Sequence, residues 1–288
     1  MKASVDIRRA NPGDASECGR ICMEAFSAVA DQHHAPHEFP PDSNVAVGLL
    51  TMLFSHPKFF CVVAEQNGRI IGSNCLDERG PISGVGPITV DPAVQNGGAG
   101  RQLMEAVMAR SNDQKFLGCR LLQAGYHMRS LSLYTKLGFI ERETVVRMQG
   151  PAIGKIFPGY SFRQAAAEEA AWCKALCFRV HGHDRAGEVA DAIAQGRVTI
   201  AEDGGRFVGY TTGFHYFGHT VAENNRDLIA LLAQSPSFEG PGFMVPVRNH
   251  DVFRWCLNQG LRSLQLNTVM TIGLYNEPQG AWLPSILY

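Results

Sequence analysis

Apolar positions along the chain follow two periods, and each change of period marks a new element. Ala64-Glu65-Gln66-Asn67-Gly68-Arg69-Ile70-Ile71-Gly72 reads as a strand, a tight turn and a returning strand, because Asn and Gly accept the positive φ of a two-residue hairpin. Val85 to Val90 reads as a further strand, with Ile88 and Val90 on one face and Thr89 on the other. From Arg101 to Arg110 the period becomes helical. Leu103 and Val107 lie four apart, as do Met104 and Met108, which gives one apolar side. A strand over Arg120 to Ala124 leads to a short helix from Ser130 to Leu137. Gly138 stops that helix and Phe139 opens another strand. Phe214, His215, Tyr216, Phe217 and His219 read as an aromatic strand that serves either the core or a pocket wall. The tail from Trp282 to Tyr288 is too apolar to dangle and is expected to dock as a last strand.

The pattern occurs twice. Ile7-Arg8-Arg9-Ala10, Ala15, Cys18, Ile21 and Cys22 match Phe162-Arg163-Gln164-Ala165, Ala170, Cys173, Leu176 and Cys177 at a constant offset of 155. The hairpin at Ala64 is matched by Ala201-Glu202-Asp203-Gly204-Gly205-Arg206-Phe207-Val208-Gly209 at an offset of 137. A third match, at an offset of 122, sets Asn249, Val252, Trp255, Cys256 and Gly260 against His127, Ser130, Leu133, Tyr134 and Gly138. Repeats in the same order argue for duplication of a mixed α/β unit. The segment Gly150 to Gly159, with Pro151 and Pro158, is the natural joint. The expected domains are therefore 1–150 and 160–288, with a linker over 151–159.

Composition narrows the classes. The chain has 288 residues, 45% hydrophobic and 18% charged, with a formal net charge of -1. That is enough to bury one or two cores and gives no reason to expect a nucleic-acid or membrane partner. The apolar run Phe59 to Ala64 is too short to span a bilayer, and Met1-Lys2-Ala3-Ser4-Val5-Asp6 carries no signal-peptide core. Cysteines 18, 22, 61, 75, 119, 173, 177 and 256 form no CxxC pair and no zinc spacing. Buried free thiols in a reducing cytoplasm are the expectation. His33-His34-Ala35-Pro36-His37-Glu38 superficially suggests a metal cluster, but Pro36 disrupts a shared helical face and no distant ligand completes the set. No metal is expected. The segment is read as a solvated loop with acceptor contact as its second role.

Between the Val85–Val90 strand and the next helix lies Asp91-Pro92-Ala93-Val94-Gln95-Asn96-Gly97-Gly98-Ala99-Gly100-Arg101. Three glycines in four positions let backbone N–H groups approach a ligand, and the following helix turns its positive end toward the same amides. That combination suits a diphosphate, although a helix-capping loop has the same composition. The loop matches neither the Walker pattern nor the dinucleotide fingerprint.

Gln95-Asn96-Gly97-Gly98-Ala99-Gly100 resembles the Q/R-x-x-G-x-G/A signature of the GCN5-related N-acetyltransferases (GNAT). Leu133-Tyr134-Thr135-Lys136-Leu137-Gly138-Phe139 resembles that family's L-Y-x-x-x-G-F segment. The resemblance covers Val5 to Gln149. It implies two tandem acyltransferase-like domains, each with a largely antiparallel central sheet flanked by helices. It implies acetyl-CoA as co-substrate: the amides of Gln95, Asn96, Gly97, Gly98, Ala99, Gly100 and Arg101 take the pyrophosphate, and the backbone of Ile88, Thr89 and Val90 pairs with the pantetheine arm. His127 stands where the family commonly has Asn, and Ser130 follows on the same helix. A splay beside Val85–Val90 admits the arm, and Gly84, Gly86 and Pro87 are its expected causes. Tyr134 occupies the position of the acid that protonates the departing thiolate; packing beneath the cofactor is its other possible role.

A lysine-like amine needs deprotonation before attack, yet no base can be assigned. Asp91 is read as shaping its turn, while Asp77 and Glu78 end the hairpin's return strand and can face the acceptor. In the second half Cys256 replaces the tyrosine, and Val221-Ala222-Glu223-Asn224-Asn225-Arg226-Asp227 holds no glycine. The second copy is therefore read as degenerate, forming scaffold or acceptor-site wall. The expected activity is acetyl transfer to a small-molecule or peptide amine by a monomer or homodimer. The alternative is a non-catalytic CoA-binding sensor.

Overall fold

The computed structural model describes residues 4–287, so Met1, Lys2, Ala3 and Tyr288 of the opening and closing segments lie outside the described residues. After β1 (Asp6–Arg9), Asn11 and Asp14 cap each other: Asn11 Oδ1 accepts the Gly13 N–H at 3.0 Å, and Asp14 Oδ2 accepts the Asn11 N–H at 2.9 Å. That exchange satisfies donors that a helix start leaves unpaired and launches α1 (Ala15–Gln32), which buries Cys18, Ile21, Cys22 and Ala25 at helical spacing. Against it lies α2 (Ser43–Ser55), so close that a Cβ on Gly19 would meet Val47 Cα at 2.5 Å. The first hairpin is β2 (Phe59–Gln66) and β3 (Arg69–Asp77), turned by Asn67 and Gly68 at φ 54° and 74°. The expected strand over Val85–Val90 is instead two, β4 (Ile82–Val85) and β5 (Thr89–Val90), separated by a cis Gly86–Pro87 bond. Gly86 sits at φ 138° and Pro87 has no N–H, so the ladder breaks between them. Next come α3 (Ala99–Asp113), β6 (Gly118–Ala124), α4 (Met128–Lys136) and β7 (Ile140–Gln149).

The same order recurs as β8 (Tyr160–Gln164), α5 (Ala170–His181), α6 (Ala186–Ala194), β9 (Thr199–Asp203), β10 (Arg206–Thr211), β11 (Thr220–Ala222), α7 (Asn225–Gln234), β12 (Phe243–Pro246), α8 (His250–Asn258) and β13 (Arg262–Gly273). A last strand, β14 (Ala281–Leu283), has no counterpart among the described residues of the first half. Gly204 and Gly205, at φ 59° and 77°, turn the second hairpin.

The halves interleave. One sheet runs β1-β2-β3-β4-β6-β13-β7-β12, with β5 also on β3; the other runs β14-β11-β10-β9-β8. Apart from the parallel β4–β6 pair, the strands are antiparallel. The second half's long strand β13 thus enters the first half's sheet, between β6 and β7. Asn267 on β13 faces Val145 on β7, its own equivalent at the offset of 122. The register shifts once at Leu264 and once at Arg142, which are equivalent positions as well. A pseudo-two-fold axis therefore passes through the Val145–Asn267 pair. Val145, Val146, Met148, Val269 and Met270 along it are at most 2% exposed, so the two repeats share one apolar seam.

The aromatic segment is not a strand. Thr211 pairs with Thr220, which makes 212–219 the loop joining β10 to β11. A Cβ on Gly218 would meet Gly213 O at 2.0 Å, so two glycines allow a fold-back that side-chain alternation cannot reveal. Its aromatic side chains then diverge. Phe214 packs on Phe238 and Phe243 in the core, whereas His215, Tyr216 and Phe217 line a cavity between the halves. In the tail only Ala281–Leu283 is strand, and it docks on β11.

Candidate active site

The glycine loop lies between β5 and α3. Gly98 takes φ 96° and caps the helix, and Asn96 takes φ 70°. The first-turn amides of α3, at 99–101, have no acceptor within the helix and carry its positive end. They border a cleft of about 430 Å³, together with Ile88, Thr89, Val90, Gln95, Asn96, Gly98, His127, Ser130 and Tyr134. Every expected cofactor-site residue except Gly97 therefore meets in one cavity; Gly97 stays in the loop behind it.

Two features make the cleft fit an extended amide-bearing ligand with phosphates. Among the described residues β5 pairs with β3 alone, leaving its other edge open, and the buried Thr89 Oγ1 beside it has no hydrogen-bond partner. Gly72 on β3 seats that edge: a Cβ there would stand 2.5 Å from Thr89 O. Cations gather at the loop end, where Arg101, Arg129 and Lys136 border the cleft. The sequence reading missed Arg129. From the first turn of α4 its guanidinium donates to Gln95 Oε1 at 2.5 Å and to Asn96 Oδ1 at 3.2 Å, tying helix to loop. Gln95 Nε2 in turn donates to Val90 O at 3.1 Å.

Tyr134 is buried on α4, and its hydroxyl has no hydrogen bond to another described residue. Burial pushes the phenol up to about 12, so it remains protonated at neutral pH. A thiolate formed in the same apolar surroundings is raised by the same effect. His127 precedes α4 and is pushed down to about 4, by burial first and then by Arg129 and His33, so its imidazole is neutral. The Ser130 hydroxyl donates to His127 O at 2.8 Å and accepts from Gln123 at 3.2 Å, so it also fastens the helix start.

The cleft opens into a second cavity of about 540 Å³ between the halves, and Phe26, Ile88, Ala124, His127, Ser130 and Tyr134 border both. Glu38, Phe39, Leu49, Met52, Tyr216 and Asn267 also line it. The second half thus supplies part of the wall beside Tyr134. The carboxylates considered from sequence are engaged elsewhere. Asp91 accepts from Ala93 N–H at 2.9 Å and from Arg69 at 3.0 Å, which shapes the turn. Asp77 is clamped by Arg79 at 2.6 Å, and Glu78 by Arg110 at 2.7 Å. In the histidine segment, His33 packs on Tyr126 with centroids 5.2 Å apart, while His37 pairs with Asp31 at 2.7 Å. No group of three metal-ligating side chains converges among the described residues. All eight cysteines are free and buried.

The second copy differs where the first is open. β14 pairs along β11, Thr220 with Leu283, Val221 with Trp282 and Ala222 with Ala281, so the equivalent of the open edge is already occupied. Asn224 caps α7 with its side chain, and Asn225 and Asn249 exchange amide hydrogen bonds at 3.0 and 2.9 Å across the equivalent loop position. Cys256 is fully buried, and burial pushes its thiol up to about 12.

Residues 57–141 match the acetyltransferase (GNAT) domain family. This stretch is similar to a GNAT domain. That match spans the hairpin, the glycine loop, α3, β6 and α4, which carry the cleft. Over nearly the whole chain the fold is shared with solved acetyltransferase structures, one of them a tandem GNAT protein. A putative acetyltransferase from Pyrococcus horikoshii superposes with a TM-score of 0.77 at 18% identity, covering 99% of this chain and 94% of that one. A GCN5-related N-acetyltransferase from Sphaerobacter thermophilus gives 0.65 at 14% identity, covering 95% and 96%. A tandem GNAT protein from the clavulanic acid biosynthesis pathway gives 0.60 at 15% identity, covering 94% and 98%. No curated protein sequence matches significantly. No helix among the described residues is long and apolar enough to cross a membrane.

Proposed function

We propose that the chain is an N-acetyltransferase that uses acetyl-CoA and acts through one active site, in its first half, on an amine. The observation that carries this reading is the contrast between the copies: an open β5 edge beside a glycine loop and Tyr134 in one, a strand-filled edge, no glycines and a buried cysteine in the other. The loop amides and Arg129 would hold the pyrophosphate, and β5 would pair with the pantetheine arm. Bound acetyl-CoA supplies an acetyl group already activated as a thioester. The chain's part is then to exclude water, to seat a neutral amine in the cavity between the halves, and to hold a proton at the Tyr134 hydroxyl for the leaving sulfur. Direct attack by the amine fits two cavities whose described lining includes no cysteine to carry the acetyl group. The acceptor is a small-molecule or peptide amine, and the eight buried thiols suit a reducing, cytoplasmic setting. A thiol-release assay over a panel of amines tests the proposal. Amine-dependent release of CoA is expected. Tight acetyl-CoA binding without turnover on any amine would instead favour a CoA-binding sensor.

A further inference from the structure

The cavity between the halves has an apolar body and one polar corner. Phe26, Phe39, Leu49, Met52 and Phe217 form much of its wall. On α2, Val45 and Met52 remain 51% and 46% exposed although they face this space, where an ordinary protein surface would place polar groups. At the corner stands Glu38, from the loop between α1 and α2, with a side chain 10% exposed. The Tyr216 hydroxyl donates to it at 3.4 Å and Gln265 Nε2 at 3.3 Å. Arg147 is fully buried behind them but reaches no nearer than 4.0 Å, because its guanidinium donates to Tyr216 OH and Pro36 O instead. That is beyond hydrogen-bond range, so the carboxylate is neutralised at a distance and held by two long hydrogen bonds to Oε1, from Tyr216 and Gln265. Asn267, on the exchanged strand β13, accepts from Gln265 at 2.9 Å, and its own Nδ2, buried on the same cavity wall, has no partner among the described residues. A buried donor and a loosely held carboxylate side by side are costly unless a ligand completes them.

We propose that the acceptor is a primary amine carried on an aromatic or alkyl body, and that Glu38 receives its ammonium and takes its proton. This rests on the acetyl-transfer reading above. The corner adjoins the cofactor cleft: the negative charge of Glu38 helps to raise Tyr126, and Tyr126 borders that cleft. Burial lifts the Glu38 carboxyl above the usual glutamate value of 4.5, and Arg147 pulls it partly back, so the carboxylate is a stronger proton acceptor than an exposed glutamate. The other titratable groups facing it, Tyr216, Tyr126 and Cys22, are all raised by burial and stay uncharged. In the step, an N–H bond of the ammonium breaks and an O–H bond forms on Glu38, freeing the nitrogen lone pair for attack. The amide nitrogen sheds its second proton as the leaving sulfur gains one, so a single proton passes through Glu38 to solvent. The second half's role is positional: Tyr216, Gln265 and Asn267 hold the carboxylate toward the cavity.

The test uses the whole chain and binding calorimetry without acetyl-CoA. 2-Phenylethylamine and hexylamine are the probes, and ethanolamine is the polar control. Both probes are expected to bind wild type at least tenfold tighter than ethanolamine, and Glu38→Gln is expected to weaken them at least tenfold while acetyl-CoA affinity holds. With turnover as readout, the same variant should lose the acidic limb of the pH–rate profile. If Glu38→Gln leaves Arg147 too poorly neutralised to fold, Glu38→Asp keeps the charge, and it should still lower kcat at least tenfold by shortening the reach. Probes that bind no tighter than ethanolamine, or equally well to a folded Glu38→Gln, overturn the inference. Wild type that binds 2-phenylethylamine through Glu38 but neither binds nor turns over acetyl-CoA would retain this amine site and sink the transferase reading.

Discussion

Gly72 lies outside the loop signature, yet the geometry makes it the glycine on which the cleft depends most. A Cβ at 72 would meet Thr89 O at 2.5 Å and Val90 Cα at 3.2 Å, whereas ordinary contact begins near 3.4 Å. Gly72→Ala must therefore push β5 off β3 by roughly 0.9 Å, and both neighbours are backbone, which cannot rotate away. Overpacking of this kind costs about 1–3 kcal/mol. A displacement of about 1 Å in a positioning element can cost on the order of 100-fold. The expected result is a 10- to 100-fold weaker acetyl-CoA Kd, about 1.4–2.8 kcal/mol, and a melting point lower by several degrees. Gly100→Ala is the control. Inside the signature, a Cβ there would find Val90 Cγ2 at 3.7 Å and Leu133 Cδ2 at 4.0 Å, both ordinary contacts. Affinity should stay within about twofold, and the helix should gain up to ~1 kcal/mol from alanine. Isothermal calorimetry and a thermal melt on each variant decide the matter. Normal affinity in Gly72→Ala together with lost affinity in Gly100→Ala would refute the reasoning, because the loop signature rather than the β3–β5 seat would then control binding.

Tyr134→Phe should lower kcat at least tenfold, about 1.4 kcal/mol, with little change in acetyl-CoA affinity; unchanged turnover at saturation removes the phenol from the mechanism. Arg129→Ala removes the hydrogen bonds to Gln95 and Asn96 and a cation from the cleft. Acetyl-CoA should then bind several-fold more weakly (~1 kcal/mol for charge-assisted bonds at this exposure) and with a shallower salt dependence; an unchanged salt dependence would show that Arg129 faces no phosphate. Stability should fall on acidification. Burial depresses His183 to about 3 and His127 to about 4, and it lowers His181, His215 and His219 as well. The unfolded chain then binds protons first, so the contribution is fully present above about pH 6.5 and is lost as pH falls toward 4. Glu38 and Glu143, whose carboxyls are raised by burial, work in the opposite sense, adding stability as pH falls through their raised values toward 4.5. Urea midpoints at pH 7.5, 6.5 and 5.5 should decline, and a flat series would contradict the assignment of neutral buried imidazoles.

What the sequence revealed, and what it hid, follows the range of each interaction. Asn67-Gly68 and Gly204-Gly205 announce their hairpins because the backbone demand is met by the residues themselves. The glycine loop and the Leu133-Tyr134 helix are likewise local. The exchange of β13 into the first sheet is not, since its register depends on Asn267 meeting Val145 across 122 residues. Arg129 and Asn267 were missed for the same reason, and Glu38 was read only as part of a solvated loop with acceptor contact as its second role: each gains its meaning from partners on other elements. The offset of 122 held the strongest unused signal. Applied to β7, it predicts a matching long strand over 262–271, where β13 lies. The aromatic run was misjudged because Gly213 and Gly218 permit a fold-back that side-chain alternation does not record.

The central claim is one cofactor site per chain, open in the first copy and filled by β14 in the second. Calorimetric titration of the intact chain with acetyl-CoA measures that directly. One equivalent per chain is expected, and Gly98→Val, which places a β-branched residue at φ 96°, should abolish it. Two equivalents, or one that survives Gly98→Val unchanged, would contradict the account.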